Sequence, residues 1–572
     1  MGESKNESSK SASQAWRKKP RKFAPKSRLG CKTCKIRRVK CDLSWPSCQK
    51  CQSTGRTCDG YNENALSLIT EIDTNHHKEA TNRAESYGRY NHCITISTHQ
   101  PETWYEKHHG LVSGNLDPFM ILPVAGQAQG EAMCFFEYIS IKHLNEHRPC
   151  ESWRKTLMFF SQTVPSVRHA AIALSLVYRN YLSRDSMHQP QPLDDGLPDN
   201  AAMLHYNRAI HLLLNQESGD NTETTAVTLL VCYLFTCYDH LAGNYVQAMK
   251  HLRGGVELSR NIDEATFSNN QSTYDDAQSL GSRALIHQVT KQIRRLDTQA
   301  VTFLIDWTPR DIQETLRSQL PLGGAFPSLD QAADHLQILV ARVMRLHNTE
   351  QQMSLTDETP PPPTPSLKDI LLGQLEIWSS LFETMLQESG GSYVADFETY
   401  RLVSLLRLQH TIAWILVSSY GPGPGREMEY DNYLPQFQQC VALAGDVAAA
   451  HEQYSGSLQP TFTPEVGIVP VLYIIGVKCR HPVVRRQVLS ILRRQSIREA
   501  IWDSISAARV VERVIQIEEG GSEEEGGMTR SMEQIVVWQR IETMSWVQSA
   551  VRLDISYTFC GLEGTHIESL MI

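Results

Sequence analysis

Between residues 31 and 58 the chain reads CKTCKIRRVKCDLSWPSCQKCQSTGRTC, and no other stretch limits its structure as severely. Cysteines stand at Cys31, Cys34, Cys41, Cys48, Cys51 and Cys58. Moving the first three by 17 positions places them on the last three, so a C-x2-C-x6-C unit is written twice. Two residues between cysteines let both sulfurs of a pair reach one ion from a tight turn, and tetrahedral zinc takes four ligands, with sulfur at about 2.3 Å. Six sulfurs complete two tetrahedra only when two of them bridge. The count therefore fits a binuclear cluster holding two Zn2+. Roughly +4 from the metals against −6 from the thiolates leaves about −2, which Lys32, Lys35, Arg37, Arg38 and Lys40 around the first repeat can offset. Three other readings stand beside this one: three disulfides, a mononuclear site with two spare thiols, and metal storage alone. Disulfides sit poorly with a chain that carries no recognisable secretory signal and so is expected in a reducing setting.

The six cysteines, the basic run Lys35-Ile36-Arg37-Arg38-Val39-Lys40 before Cys41, and Pro46 in the connecting loop resemble the DNA-binding domain of fungal binuclear zinc-cluster transcription factors (Zn(2)-C6 fungal-type). The resemblance implies that Cys31 and Cys48 bridge, that Cys34 and Cys41 complete one zinc, and that Cys51 and Cys58 complete the other. It also implies a short helix in each half, the first ending in the major groove, and a preference for CGG triplets. In such proteins a lysine stands four residues after the second cysteine. Here that position is Arg38, which can still pair with guanine O6 and N7 in a bidentate way. The site expected from this resemblance is Cys31, Cys34, Cys41, Cys48, Cys51 and Cys58 for metal, and Lys32, Lys35, Arg37, Arg38 and Lys40 for double-stranded DNA.

Charge is unevenly placed. Residues 1–60 hold 16 Lys+Arg and 4 Asp+Glu, a net of +12, whereas the whole chain of 572 residues is −8. A basic head on an acidic body suits a head that meets a polyanion. Residues 1–26 have the Ser-, Lys- and Arg-rich composition of a disordered tail. Within them Arg17, Lys18, Lys19, Arg21 and Lys22 form a basic cluster read as a nuclear import signal, which places the protein in the nucleus. The second repeat carries one charge between Cys51 and Cys58, Arg56, against four between Cys34 and Cys41. The first half is therefore expected to face DNA and the second to complete the cluster. Residues 27–61 make the zinc module and 62–118 a polar linker. Leu66, Leu68, Ile69 and Ile72 supply barely one heptad, so a homodimer is allowed but no coiled coil is legible.

The chain reads as mainly α, with residues 119–572 one large all-α regulatory body that carries a possible short terminal strand. Helices are expected over Glu131–His147, from Pro165 through Tyr181, and over Ala201–Leu214. Thr224–Leu241 and Tyr245–Leu258, joined by Ala242-Gly243-Asn244, form a helical hairpin. Residues 262–283 read as loop, and Thr359–Ser366 as a Pro-rich linker. Helices resume at Leu367–Gln387, Tyr400–Ser419 and Leu434–His451. An apolar helix is expected from Thr463-Pro464 through Val477. An amphipathic one follows over Val483–Arg494, with Arg485, Arg486, Arg493 and Arg494 on a solvated face paired with glutamates. Ile497–Glu519 reads as a further helix, residues 519–530 as an acidic loop, and the alternation over Val551–Phe559 as a terminal strand. No apolar run approaches the roughly 18 residues of a membrane span. Stretches such as FFEYISIKHL, GNYVQAMKHLRGGVEL and PEVGIVPVLYIIGVKCRHPVVRRQVLSILR resemble the fungal-specific transcription-factor domain that follows such clusters. That resemblance implies a regulatory body engaging transcription machinery or a co-regulator. No phosphate loop, nucleotide-binding glycine motif, zinc-protease motif or hydrolase nucleophile elbow occurs, so the chain is not expected to be an enzyme.

Overall fold

The computed structural model describes residues 31–37, 39, 41, 48–58, 126–185, 200–215, 222–268, 277–304, 307–309, 324–355, 365–390, 396–419, 425–456, 458–520, 531–548 and 552–571. The basic tail with its import cluster, the linker 62–118, residues 521–530 of the acidic loop, and Arg38 and Lys40 lie outside the described residues, as does the side chain of Lys35. Two compact units divide the chain, Met1–Gln100 and Pro101–Ile572.

Among the described residues the first unit contributes two very short helices, α1 (Lys32–Ile36) and α2 (Gln49–Gln52). The buried ones among those residues are cysteines: Cys31, Cys34, Cys41, Cys48 and Cys51, with Cys58 packed against them.

The second unit is mainly α, as expected. Its first half runs α3 (Gln127–Phe135), a π turn (Phe136–Ser140), α4 (Ile141–Leu144), α5 (Glu151–Thr163), α6 (Pro165–Asp185), α7 (Asn200–Leu214), α8 (Thr222–Ala242), α9 (Tyr245–Ser268) and α10 (Ala277–Gln299). Pro165 starts α6, where its missing N–H costs nothing. Val167, Ala171, Leu174 and Tyr178 form the buried stripe. The α8–α9 hairpin closes at Gly243, whose φ of 79° suits glycine, and Asn244 donates its N–H to the Asp239 carbonyl at 2.8 Å. That left-handed residue ends α8 as expected. The region 262–283 is corrected: α9 continues to Ser268 and α10 begins at Ala277. Polar composition suggested loop, but one apolar stripe is enough to hold each helix. Residues 224–242 of α8 have the length and apolarity of a spanning helix, yet 78% of that window is buried in the helical body.

The second half runs α11 (Leu329–Leu355), α12 (Pro365–Glu388), α13 (Phe397–Ser418), α14 (Arg426–Glu429), α15 (Leu434–Ser455), α16 (Val469–Lys478), α17 (Pro482–Arg494) and α18 (Ser504–Glu519), with six strands between and after them. Pro365 and Ser366, read as the end of a linker, open α12 instead. Two other expectations are corrected here. Thr461–Thr463 is strand β1, and α16 begins only at Val469 with Pro470 in its first turn. Ile497–Glu519 is not one helix: Ile497–Glu499 is β2, Trp502–Asp503 is β3, and α18 follows. Ala500 lies between the strands with φ 53°, a left-handed conformation that no α-helix accommodates. Asp503 then caps α18, accepting the Ser506 N–H at 2.8 Å. β1 pairs parallel with β2, and β2 antiparallel with β3. Glu499 in β2 accepts the N–H groups of Gly467, Ile468 and Val469 at 2.8–3.0 Å, satisfying the orphan donors at the start of α16.

The terminal strand is present as β5 (Arg552–Phe559), flanked by β4 (Ile541–Gln548) and β6 (His566–Met571) in an antiparallel meander. Met544, Trp546 and Gln548 oppose Tyr557, Ile555 and Leu553. Among the described residues the body is thus helical with two small sheets rather than all-α.

Two apolar cores result. One gathers Trp153, Val167, Leu230, Leu234 and Ile293 from the first half. The other gathers Leu336, Trp378, Leu408, Leu472 and Val511 from the second. Phe303 and Met344 pack against both.

The basic face expected on α17 is partly corrected. Arg486, Arg493 and Arg494 are exposed and pair with Glu519, Glu512 and Glu452. Arg485 is instead fully buried, paired with Glu518. Arg480 meets the same carboxylate at 2.9 Å and Glu427 at 2.7 Å. Lys478 also pairs with Glu427. Arg540 pairs with Asp431 at 2.6 Å. This buried ionic network joins α14, α16, α17, α18 and the start of β4.

Close packing of α16 on α18 gives a direct test. A Cβ at Gly476 would stand 2.6 and 2.7 Å from the two methyl groups of Val511, whereas one at Gly373 in α12 would meet nothing within 4 Å. Gly476→Ala is expected to lower stability by about 1–3 kcal/mol through overpacking. Gly373→Ala should raise it by roughly 0.5–1 kcal/mol. Urea unfolding midpoints of the full chain check both.

Candidate metal centre and DNA interface

Each half of the cysteine segment is built alike. Cys31 immediately precedes α1 and Cys34 lies inside it, while Cys48 caps α2 and Cys51 lies inside it. Residues three apart on a helix share a face, so each pair of sulfurs converges. Cys34 N–H donates to Cys31 Sγ and Cys51 N–H to Cys48 Sγ, both at 3.3 Å. Cys31 N–H reaches Cys41 Sγ and Cys48 N–H reaches Cys58 Sγ, both at 3.5 Å. These matched donors stabilise sulfur as thiolate. The 17-residue duplication in sequence is thus a near two-fold repetition in space.

The sulfurs of Cys31, Cys34, Cys41 and Cys48 all lie within 4.8 Å of one another, and so do those of Cys31, Cys48, Cys51 and Cys58. Cys31 and Cys48 belong to both sets. Cys31–Cys48 and Cys34–Cys48 are 3.6 and 3.5 Å apart, and Cys31–Cys51 is 3.8 Å. A tetrahedron with zinc–sulfur bonds of about 2.3 Å has an edge of about 3.8 Å, so the sulfurs are spaced as zinc requires. A disulfide would need about 2.05 Å, and all six thiols are free. Among the described residues these two sets are the only groupings with metal-ligand geometry. Three histidines of the body are used otherwise: His169 meets His205 and His251 meets Tyr206.

Of the five basic residues expected at DNA, Lys32 is exposed. Arg37 turns toward the second repeat: its Nη1 donates to Thr54 Oγ1 at 3.0 Å and to the Lys50 carbonyl at 3.3 Å. Thr54 stands 17 positions after Arg37, so the duplication places equivalent residues face to face. The 17-residue register of the repeat is the signal in the sequence for that pairing. Thr33 Oγ1 adds a second link, to the Thr57 carbonyl at 3.2 Å. Ile36 is 79% exposed on the same helix.

Residues 29–66 match the Fungal Zn(2)-Cys(6) binuclear cluster domain. The chain is 22% identical to the aspercryptin biosynthesis cluster-specific transcription regulator atnN of Emericella nidulans, over 85% of this chain and 86% of that protein. It is 24% identical to the transcription regulator lscL of Purpureocillium lilacinum over 43% of this chain and 51% of that one. The transcriptional regulatory protein moc3 of Schizosaccharomyces pombe is 39% identical over 9% of this chain and 10% of its own length. No solved structure matches. Sulfur geometry, domain match and a regulator relative aligned over 85% of the chain agree on one conclusion: this is a zinc-dependent, sequence-specific DNA-binding transcription regulator carrying a fungal Zn(2)-Cys(6) binuclear cluster with two zinc ions.

Proposed function

We propose that Cys31 and Cys48 bridge the two zincs, with Cys34 and Cys41 completing one and Cys51 and Cys58 the other, and that the first repeat reads CGG-containing DNA. The observation that carries this is the pair of four-sulfur sets sharing Cys31 and Cys48. Lys32, Lys35 and Lys40 contact phosphate, and Arg38 reads the base. Arg37 serves mainly to hold the two halves together, since its guanidinium is spent on the second repeat. The exposed Ile36 offers an apolar contact to a thymine methyl or a sugar. Arg17, Lys18, Lys19, Arg21 and Lys22 direct nuclear import. The body, residues 119–572, is regulatory and engages transcription machinery or a co-regulator. The relative named for a biosynthetic gene cluster supports target genes of secondary metabolism.

Base and phosphate contacts separate by experiment, because only base contacts carry sequence information. Arg38→Ala should cost about 1–3 kcal/mol on a CGG duplex and relax discrimination there. Lys35→Ala should weaken all duplexes alike and lower the salt slope by about 0.9. Gel shifts on matched and mismatched duplexes, with bound zinc measured in parallel, decide this. Unchanged discrimination in Arg38→Ala with zinc retained would overturn the base-reading role.

A further inference from the structure

The body contains a cavity of about 630 Å³, inside the range that holds a drug-sized molecule. It lies along the seam of the two apolar cores: Phe303 and Met344, which pack against both, line it. Most of its wall is apolar, supplied by residues such as Leu406, Ile412 and Ile474.

Two features of the wall define a ligand. The first is an aromatic surface of Tyr473, Trp502 and Trp546, whose ring centroids are 5.3–6.3 Å apart. At those separations the rings touch one another, so no cation fits between them as in an aromatic cage. They offer a wall to stack on. The second is a polar station at Val466. Gln299 Oε1 accepts the Val466 N–H at 3.1 Å, and Gln409 Nε2 donates to the Val466 carbonyl at 3.3 Å. Each amide therefore keeps one polar atom with no partner among the described residues: a donor on Gln299 and an acceptor on Gln409. Both glutamines are only partly buried and both line the cavity.

Charge in the wall is already satisfied. Arg148 pairs with Asp334, and Lys478 with Glu427, so neither cation is spare for a ligand carboxylate. Burial holds the carboxyls of Glu465 and Glu542 above the usual carboxylate range. Burial likewise holds the imidazoles of His147 and His347 in their neutral form, His147 at about 4. An anionic ligand would be desolvated here without a counter-ion.

We propose that this cavity is an effector site for a neutral, largely apolar molecule that stacks on Trp502 and Trp546 and presents an adjacent hydrogen-bond acceptor and donor, as an amide does, to Gln299 and Gln409. This deepens the reading of residues 119–572 as regulatory and rests on it for the word effector; the site itself does not.

The test uses the full chain and two dansyl probes. Dansylamide is neutral, aromatic and amide-like, and its absorbance overlaps tryptophan emission. Dansylglycine adds a carboxylate. Dansylamide is expected to bind saturably at one site per chain with energy transfer from tryptophan, and dansylglycine at least tenfold more weakly. Met344→Trp, which fills the seam, and Gln409→Leu, which removes the acceptor at nearly constant volume, should each weaken dansylamide at least tenfold while thermal unfolding stays within a few degrees. If Met344→Trp does not fold, Gln409→Leu decides alone. Absence of saturable binding, equal affinity for the two probes, or binding indifferent to Gln409→Leu would overturn the site. Gel shifts on the same preparations keep the two readings apart. Lost probe binding with intact DNA binding removes the ligand site only. Regulated transcription that survives deletion of residues 119–572 removes the regulatory reading only.

Discussion

Stripping zinc from the full chain with a strong chelator is expected to unfold residues 31–58 and abolish DNA binding while leaving the helical body intact. The reason is the composition of the module's interior, which among the described residues is cysteine. Its helices have five and four residues, far below the length at which a helix persists alone in water. Its larger apolar side chains do not make up the deficit, since Ile36 is 79% and Val39 43% exposed. Structural zinc contributes on the order of 10–16 kcal/mol of apparent folding free energy in finger peptides, and nothing else among the module's described residues approaches that. Elemental analysis should give two zincs per chain, and circular dichroism should lose only a small helical amplitude on chelation. A ratio of one, or DNA binding that survives chelation, would contradict the cluster. Cys31→Ser should release more metal than Cys34→Ser, because a bridging sulfur serves both ions. Equal release would count against bridging by Cys31.

The second large effect is expected deep in the body. Glu518→Gln should destabilise the chain by about 3–5 kcal/mol, the usual result of removing one partner from a buried ion pair. Glu518 and both of its guanidinium partners, Arg480 and Arg485, are fully buried, and it also accepts the Ile541 N–H at 2.8 Å. An amide in its place would leave Arg480 to share Glu427 with Lys478, and Arg485 with only a 3.8 Å contact to Glu519. Arg486→Ala, which breaks the exposed pair with Glu519, should cost no more than about 1 kcal/mol. Comparable losses in the two variants, by urea unfolding, would sink the argument. The same carboxylate gives a pH dependence. Burial alone would raise its pKa, but Arg480 and Arg485 hold it down to about 2. A carboxylate whose pKa is depressed in the fold adds stability that is complete above its ordinary value near 4.5 and fades as pH falls toward 2. The wild-type advantage over Glu518→Gln should therefore be full at neutral pH and shrink between about pH 4.5 and 2.

Local chemistry made the zinc module legible. Ligand spacing is a property of a few neighbouring residues, and a duplicated C-x2-C-x6-C unit leaves few structures other than two bridged tetrahedra. The hairpin of α8 and α9 was legible for a similar reason, since apolar periodicity marks the helices and Gly243 marks the turn. What tertiary structure decided is set by partners distant in sequence. Arg485 reads as a surface charge on an amphipathic helix, yet it is buried because Glu518, 33 residues away, waits in the interior. Ile497–Glu519 keeps a helical apolar pattern throughout, but pairing of β2 with β1 draws Ile497–Glu499 into a sheet and Ala500 takes a left-handed turn. β4 and β6 carry weak alternation and are strands because β5 lies between them. The cavity is written nowhere along the chain. It exists because two separately packed cores meet imperfectly around Phe303 and Met344, and only the folded arrangement of both brings Gln299, Gln409 and Trp502 to one wall.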